Sequence, residues 1–358
     1  MTTLSAPTSA APTPEEELAA SFDPAPGFLN AATMGLPPRR TKAALSSAVE
    51  QWAAGQASAA EYDLSVTRAR ELYARLVGVD QGDVAVGSQT SVTAGMVAAS
   101  LPDGANVICV DGDFTSMVFP FLAQAGRGVT VQHVPLERLA ESIDRSTNLV
   151  AFSMAQSSDG RIADGVAVAA AARAHGAMTF ADVTQSAGWL PLSANDYDVT
   201  VCSSYKWLCC PRGVAFTTVT PEARERLRPV NAGWYAGESI WDSCYGPQMQ
   251  LADSARRFDV APVWLSFVGS VPSLELMVSL TPQQRSHGTR LADALRGQLS
   301  LAPEGRPVLS LSDPDGELQR RLVDGGCTVA ARAGKVRIAF HLWNTERDVD
   351  VAARALTA

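Results

Sequence analysis

No stretch of this chain reaches the roughly 18 to 20 uninterrupted apolar residues that a bilayer-spanning helix requires. The first twenty residues carry no basic start followed by an apolar run, so they are expected to be neither signal peptide nor anchor. The six cysteines (Cys109, Cys202, Cys209, Cys210, Cys244 and Cys327) include no C-x-x-C pair. Without a secretory signal they read as reduced core or pocket thiols, not as a disulfide framework or a zinc site, so no metal is expected and the expected location is cytoplasmic. A basic stripe is also missing: the net charge is −8, which favours solubility and argues against nucleic acid as a partner. Charged residues make up only 18% of the chain against 46% apolar, a globular composition with ample core. At 358 residues the chain exceeds one ordinary core, and a large domain with a smaller companion is expected.

The opening is rich in Ala, Pro, Ser and Thr and cannot bury enough apolar surface to offset its ordering entropy, so residues 1–20 are expected to be a disordered tail. Apolar residues at helical spacing predict helices over 41–52 and 61–77, the second stopped by Gly78. From Asp83 the pattern alternates between short apolar runs (84–86, 106–110, 129–134, 149–152, 178–181, 199–202, 213–216) and helical segments, which implies a mainly parallel sheet covered on both faces. A long helix with a break at Thr281-Pro282 follows over 262–299, then a compact α+β unit to the end. Ligands of such sheets sit beyond the carboxyl ends of the strands, and Asp182 stands at one such end.

Lys206 lies between the apolar run 199–202 and the turn Pro211-Arg212-Gly213. Taken alone it reads as a solvated lysine at a strand-to-loop junction. Apolar runs on both sides, and a third leading into Asp182, instead place a lysine and a carboxylate on one rim. A lysine in a partly dry pocket loses its proton readily enough to form a Schiff base with an aldehyde cofactor. A carboxylate beside a pyridine nitrogen keeps that nitrogen protonated and electron-withdrawing. Lys206 is therefore expected to carry pyridoxal phosphate, with Asp182 at the ring nitrogen. The segment Gly87-Ser88-Gln89-Thr90-Ser91 opens a helix after a strand; its backbone N–H groups and hydroxyls suit phosphate, although an ordinary helix cap by Ser88 or Thr90 would use the same residues. Arg337 alternates with Val336 and Ile338 on a short strand, and a guanidinium fork fits a carboxylate in bidentate fashion.

The pattern Asp182, Gln185, Lys206-Trp207-Leu208, Pro211-Arg212-Gly213 resembles the class V aminotransferase family of fold-type I pyridoxal phosphate enzymes, which includes cysteine desulfurases, isopenicillin N epimerase, kynureninase and carbon-sulfur lyases. The resemblance runs from Leu29-Asn30 to Asn344-Thr345 and implies the following. The fold is α/β, with a mainly parallel seven-stranded sheet in a large cofactor-binding domain over 56–260, a long helix and small α+β domain over 261–358, and a segment over 21–55 near the active-site mouth. The cofactor is held by Gln89, Thr90, Ser91, Phe114, Asp182, Gln185, Ser203, Tyr205 and Lys206, with Trp234 reaching a neighbouring subunit's cofactor in a homodimer. Arg337 fixes the substrate carboxylate, and Asn30 and Thr33 are candidate substrate contacts, though a surface turn would equally suit both. Phe114 and Tyr205 resemble the kynureninase-like branch. The substrate is an amino acid or amino-acid conjugate transformed at Cα or Cβ, with a β-eliminating lyase expected first and an aminotransferase or epimerase second. A catalytically silent relative is disfavoured by the intact Lys206, Asp182 and Gln185. Arg212 and Asp113 read as turn residues, His341 as structural, and Cys327 as a small buried hydrophobe where a desulfurase would need a mobile thiolate.

Overall fold

The computed structural model describes residues 13–357. The first twelve residues of the expected tail lie outside the described residues, but the rest of it is ordered. Thr13 and Glu16 form a reciprocal capping box at the start of α1 (Pro14–Ala19), and Leu18 is buried in the core. Along the chain follow α2 (Arg39–Ala53), α3 (Ala59–Val77), β1 (Val84–Gly87), α4 (Thr90–Ser100), β2 (Asn106–Val110), α5 (Thr115–Leu122), β3 (Thr130–Val134), β4 (Leu149–Ser153), α6 (Gly165–His175), β5 (Met178–Asp182), β6 (Val199–Ser203) and β7 (Ala215–Val219). After these come α7 (Pro221–Arg226), α8 (Trp264–Ser279), α9 (Pro282–Arg285), α10 (His287–Gln298), β8 (Val308–Ser312), α11 (Glu317–Asp324), β9 (Ala330–Arg332), β10 (Lys335–Ala339) and α12 (Glu346–Thr357).

Seven strands form one sheet in the order β1-β7-β6-β5-β4-β2-β3. It is parallel except at β7, which runs antiparallel to both of its neighbours. Every residue of β4, β5, β6 and β7 is buried, as expected where helices cover both faces. Alternate side chains go to opposite faces: Val150 and Phe152 join one core cluster, Leu149 and Ala151 the other. The first cluster also takes Phe267, Leu274 and Met277 of α8, so that helix packs on the large sheet although it follows the strands in sequence. Its end is sharp because Thr281 and Gln284 make a second capping box at α9.

The small sheet, β8-β10-β9, is antiparallel and buries its apolar face against α10, α11 and α12. Between the two sheets runs residues 27–35. Phe28 bridges to Thr328 and Asn30 to Ala339 on the small-sheet side, while the Gly35 amide donates to the Tyr205 carbonyl at 2.9 Å. Among the described residues no helix is long and apolar enough to cross a membrane.

Candidate active site

β1, β2, β4, β5 and β6 all point their carboxyl ends at one rim, and each delivers a piece of the site there. After β1 the chain turns into α4, whose N-cap residue Gln89 makes no side-chain cap, and Gln89, Thr90 and Ser91 line the cleft at the helix start. The Thr90 N–H donates to the Ser203 hydroxyl at 3.2 Å. The end of β1 is fixed from behind by a buried ion pair: Arg70 meets Asp259 at 2.6 Å and donates to the Val84 carbonyl, and Asp259 accepts the Val86 amide at 2.7 Å.

Asp182 closes β5, only 4% exposed. Its carboxylate accepts from the Thr184 amide at 2.8 Å and from the Thr90 hydroxyl at 3.4 Å, and the Thr184 hydroxyl in turn accepts from the Ser203 amide at 2.9 Å. Burial pushes the Asp182 carboxyl upward, against the bonds from Thr184 and the charge of Lys206. Lys206 follows β6, 6% exposed. Burial lowers its ammonium to about 8; the Asp182 charge opposes that shift, while Arg337 and Arg332 add to it. Its Nζ sits 5.7 Å from the centre of the Phe114 ring and 5.6 Å from that of Tyr205.

The cleft has two chambers. Ser88, Gln89, Thr90, Ser91, Ser203 and Asp182 line the inner one; Thr33, Arg332 and Arg337 line the outer, of about 400 Å³. Phe114, Ser157, Tyr205, Lys206 and Arg212 border both. Arg337, on β10, is only 1% exposed and reaches across from the small sheet. It donates to the Ser157 carbonyl and, at 2.7 Å, to the Thr33 hydroxyl, and its buried Nε has no partner. Burial first, then the neighbouring Arg332, lower it to about 10.

The Aminotransferase class-V family model matches residues 28–315. The chain belongs to the class-V aminotransferase family. Class-V aminotransferases use pyridoxal phosphate, and this member is a pyridoxal-phosphate-dependent enzyme of the lyase or aminotransferase kind. Its relatives include the uncharacterized aminotransferase YcbU of Bacillus subtilis, 28% identical over 317 residues that cover 81% of this chain and 82% of the other. Isopenicillin N epimerase of Streptomyces clavuligerus is 26% identical over 337 residues, covering 81% and 83%. The fold is also that of the cysteine desulfurase CsdA of Escherichia coli, with a TM-score of 0.80, 19% identity and coverage of 97% and 98% of the two chains.

The residues present fit that cofactor. An uncapped helix start with hydroxyls beside it suits a phosphate, a buried carboxylate suits a pyridinium, and an amine lowered to about 8 suits an aldehyde. Of the residues expected from sequence, Gln89, Thr90, Ser91, Phe114, Asp182, Gln185, Ser203, Tyr205 and Lys206 line the inner chamber, and Arg337 the outer. Gln185 is held at both ends of its amide: Nε2 donates to the Ala32 carbonyl at 3.0 Å and Oε1 accepts from the Trp207 indole at 2.7 Å.

Trp234, expected at a neighbouring subunit's cofactor, packs its ring against Tyr235 and Trp241 in the loop after α7, outside its own chain's cleft. Other placements depart from the expectation. Asn30 pairs its backbone with Ala339 and likewise stays out of the cleft lining, whereas Thr33 enters it. Asp113 is not a solvated turn carboxylate: it is 8% exposed and accepts from the Phe114 and Ser153 amides at 2.7 and 2.8 Å, which orients the Phe114 backbone. Arg212 is more than a turn residue, since it borders both chambers with its guanidinium 5.0 Å from the centre of the Tyr205 ring. His341 is structural, held by the Trp207 carbonyl at 2.9 Å and lowered by burial to about 4. Ser153, Ser157, Thr184 and Arg332 were not singled out from sequence; only Thr184 had a local signal, two residues after an aspartate whose carboxylate caps its amide.

Proposed function

We propose that the enzyme acts on the Cα and Cβ of α-amino acids by β-elimination. The observation that carries this reading is that Lys206 and Arg337 face one cleft from opposite sheets, the first an amine with a lowered proton affinity, the second a buried guanidinium without a carboxylate. Bound pyridoxal phosphate would supply the aldehyde carbon and the electron sink. The chain's own residues do the rest. Thr90, Ser91, Ser203 and Tyr205 would hold the phosphate at the start of α4, and Asp182 would hold a proton on the ring nitrogen. Arg337 takes the substrate carboxylate with its free Nε side, fixing Cα beside Lys206. Lys206 would remove the α-proton, for which an amine lowered to about 8 is well matched.

Two features favour elimination over epimerisation. Lys206 is the one amine lining the cleft, and the Phe114 ring, its centre 5.7 Å from the Lys206 Nζ, carries no titratable proton. The half-exposed face of that ring also gives a soft leaving group such as sulfur a favourable contact. We further propose a homodimer: Trp241, Tyr245 and Met249 are 49%, 95% and 76% exposed in the loop that also holds Trp234, an apolar surface that a second copy would cover. The test is to incubate the holoenzyme with a panel of amino acids and follow keto acid, sulfide and change of optical rotation. Keto acid together with a released β-substituent supports elimination; inversion without keto acid, or a strict demand for an amino acceptor, refutes it. Arg337→Gln is expected to raise KM by at least tenfold with a smaller change in kcat.

A further inference from the structure

The outer chamber holds more positive charge than one α-carboxylate needs. Arg337, Arg332 and Arg212 all line it, and among the described residues no carboxylate forms an ion pair with any of the three. The chamber's single acid, Asp113, is turned away onto the Phe114 and Ser153 amides. Arg212 also borders the inner chamber, where the phosphate is expected, so its charge is shared with that end. Arg332 and Arg337 are not among the inner chamber's residues. Both donate to a single acceptor, the Thr33 hydroxyl, at 3.4 and 2.7 Å, so two like charges converge on one neutral oxygen in a chain of net charge −8. The hairpin β9-β10 supplies a contrast: Lys335 on the same hairpin has an acidic partner, Asp159 at 3.3 Å, while Arg332 faces the cleft without one.

We propose that Arg332 recognises a second anionic group on the substrate, so that the preferred substrate is an α-amino acid whose side chain ends in a carboxylate or an oxidised-sulfur acid. This rests on the reading of the site as an amino-acid site with Arg337 at the α-carboxylate. An exposed ion pair in water is weak, but here the first carboxylate is already fixed, so the second contact forms at a high effective concentration. The specificity then lies in the difference between an acid and its uncharged isostere.

The experiment is to titrate the holoenzyme with L-aspartate, L-glutamate and L-cysteine sulfinate, and with L-asparagine and L-glutamine as neutral isosteres, following the visible absorption band of the bound cofactor. At least one acid is expected to bind on the order of tenfold tighter than its amide, with Arg332→Gln bringing that ratio near one and Arg332→Lys restoring part of it. Which acid wins separates a carboxylate from a sulfur acid. Amides binding as tightly as acids, or a ratio untouched by Arg332→Gln, would overturn the proposal while leaving the amino-acid reading intact. A band that no amino acid perturbs would overturn both.

Discussion

The Trp207 indole N–H donates to the Gln185 side-chain oxygen at 2.7 Å, joining the residue after Lys206 to the helical turn after Asp182. Gln185 is 7% exposed, so removing that donor leaves a buried acceptor unpaired. Trp207→Phe is expected to lower stability by about 1–3 kcal/mol, the cost of an unsatisfied buried polar atom. Chemical denaturation of the holoenzyme measures it. An unchanged midpoint would mean that water or a rearranged amide replaces the indole.

Lys206 sets the response of cofactor capture to pH. Burial lowers its ammonium from 10.5 to about 8, and the neutral amine is the form that attacks an aldehyde. Because the charged form is the one penalised, capture by the apoenzyme should accelerate as pH rises through about 8 and level off above it. Stopped-flow mixing with pyridoxal phosphate reads this directly, and a rate still climbing in step with an ordinary lysine would contradict it. Lys206→Ala should abolish both turnover and borohydride-trappable cofactor.

Asp182→Asn keeps the side-chain volume but removes the negative charge. Turnover is expected to fall by at least about 10²-fold, on the scale of roughly 3 kcal/mol for one preorganised electrostatic group. Cofactor retention should fall much less, because the residues at the start of α4 that are proposed to hold the phosphate are untouched. Comparing turnover with cofactor affinity separates the two effects; equal losses in both would assign Asp182 to binding alone.

Cys327 lies in the apolar cluster with Leu29, Leu291 and Ile338, and burial raises its thiol. Such a thiol is not expected to carry substrate sulfur. Cys327→Ala is expected to leave carbon-sulfur cleavage within about twofold and to cost roughly 1–2 kcal/mol of stability from lost burial. A persulfide found on Cys327 by mass spectrometry after incubation with cysteine would reverse this.

The Arg70–Asp259 pair offers a structural test. Asp259 is fully buried and also accepts the Val86 amide, so Asp259→Ala strands both a guanidinium and a backbone donor at the root of the turn from β1 into α4, where the phosphate is proposed to sit. Destabilisation of about 3–5 kcal/mol is expected, together with weaker cofactor binding. The double variant Arg70→Met with Asp259→Leu should recover part of the stability; no recovery would show that Val84 and Val86 are the main beneficiaries of the pair.

The strand-helix alternation was legible because each strand is a short apolar run ending in a turn, and the residues that carry chemistry follow those runs. Lys206, Asp182 and the start of α4 could be read for that reason. Asp113 could not: its burial depends on the Ser153 amide, forty residues away on β4. The antiparallel course of β7 left no mark in its composition, since a strand buried on both faces reads the same in either direction. Arg332 was invisible because only the folded hairpin turns it toward Thr33, 299 residues earlier.

The segment from Gly27 to Gly35 has a practical consequence for anyone trimming or tagging the protein. A Cβ on Gly35 would lie 1.9 Å from the Lys206 carbonyl oxygen, and one on Gly27 would lie 2.3 Å from the Gly326 carbonyl oxygen, so the segment is seated against backbone at both ends. Its Ala32 carbonyl holds Gln185, and its Thr33 hydroxyl holds Arg337. A boundary drawn after residue 36 would therefore remove a wall of the reaction chamber.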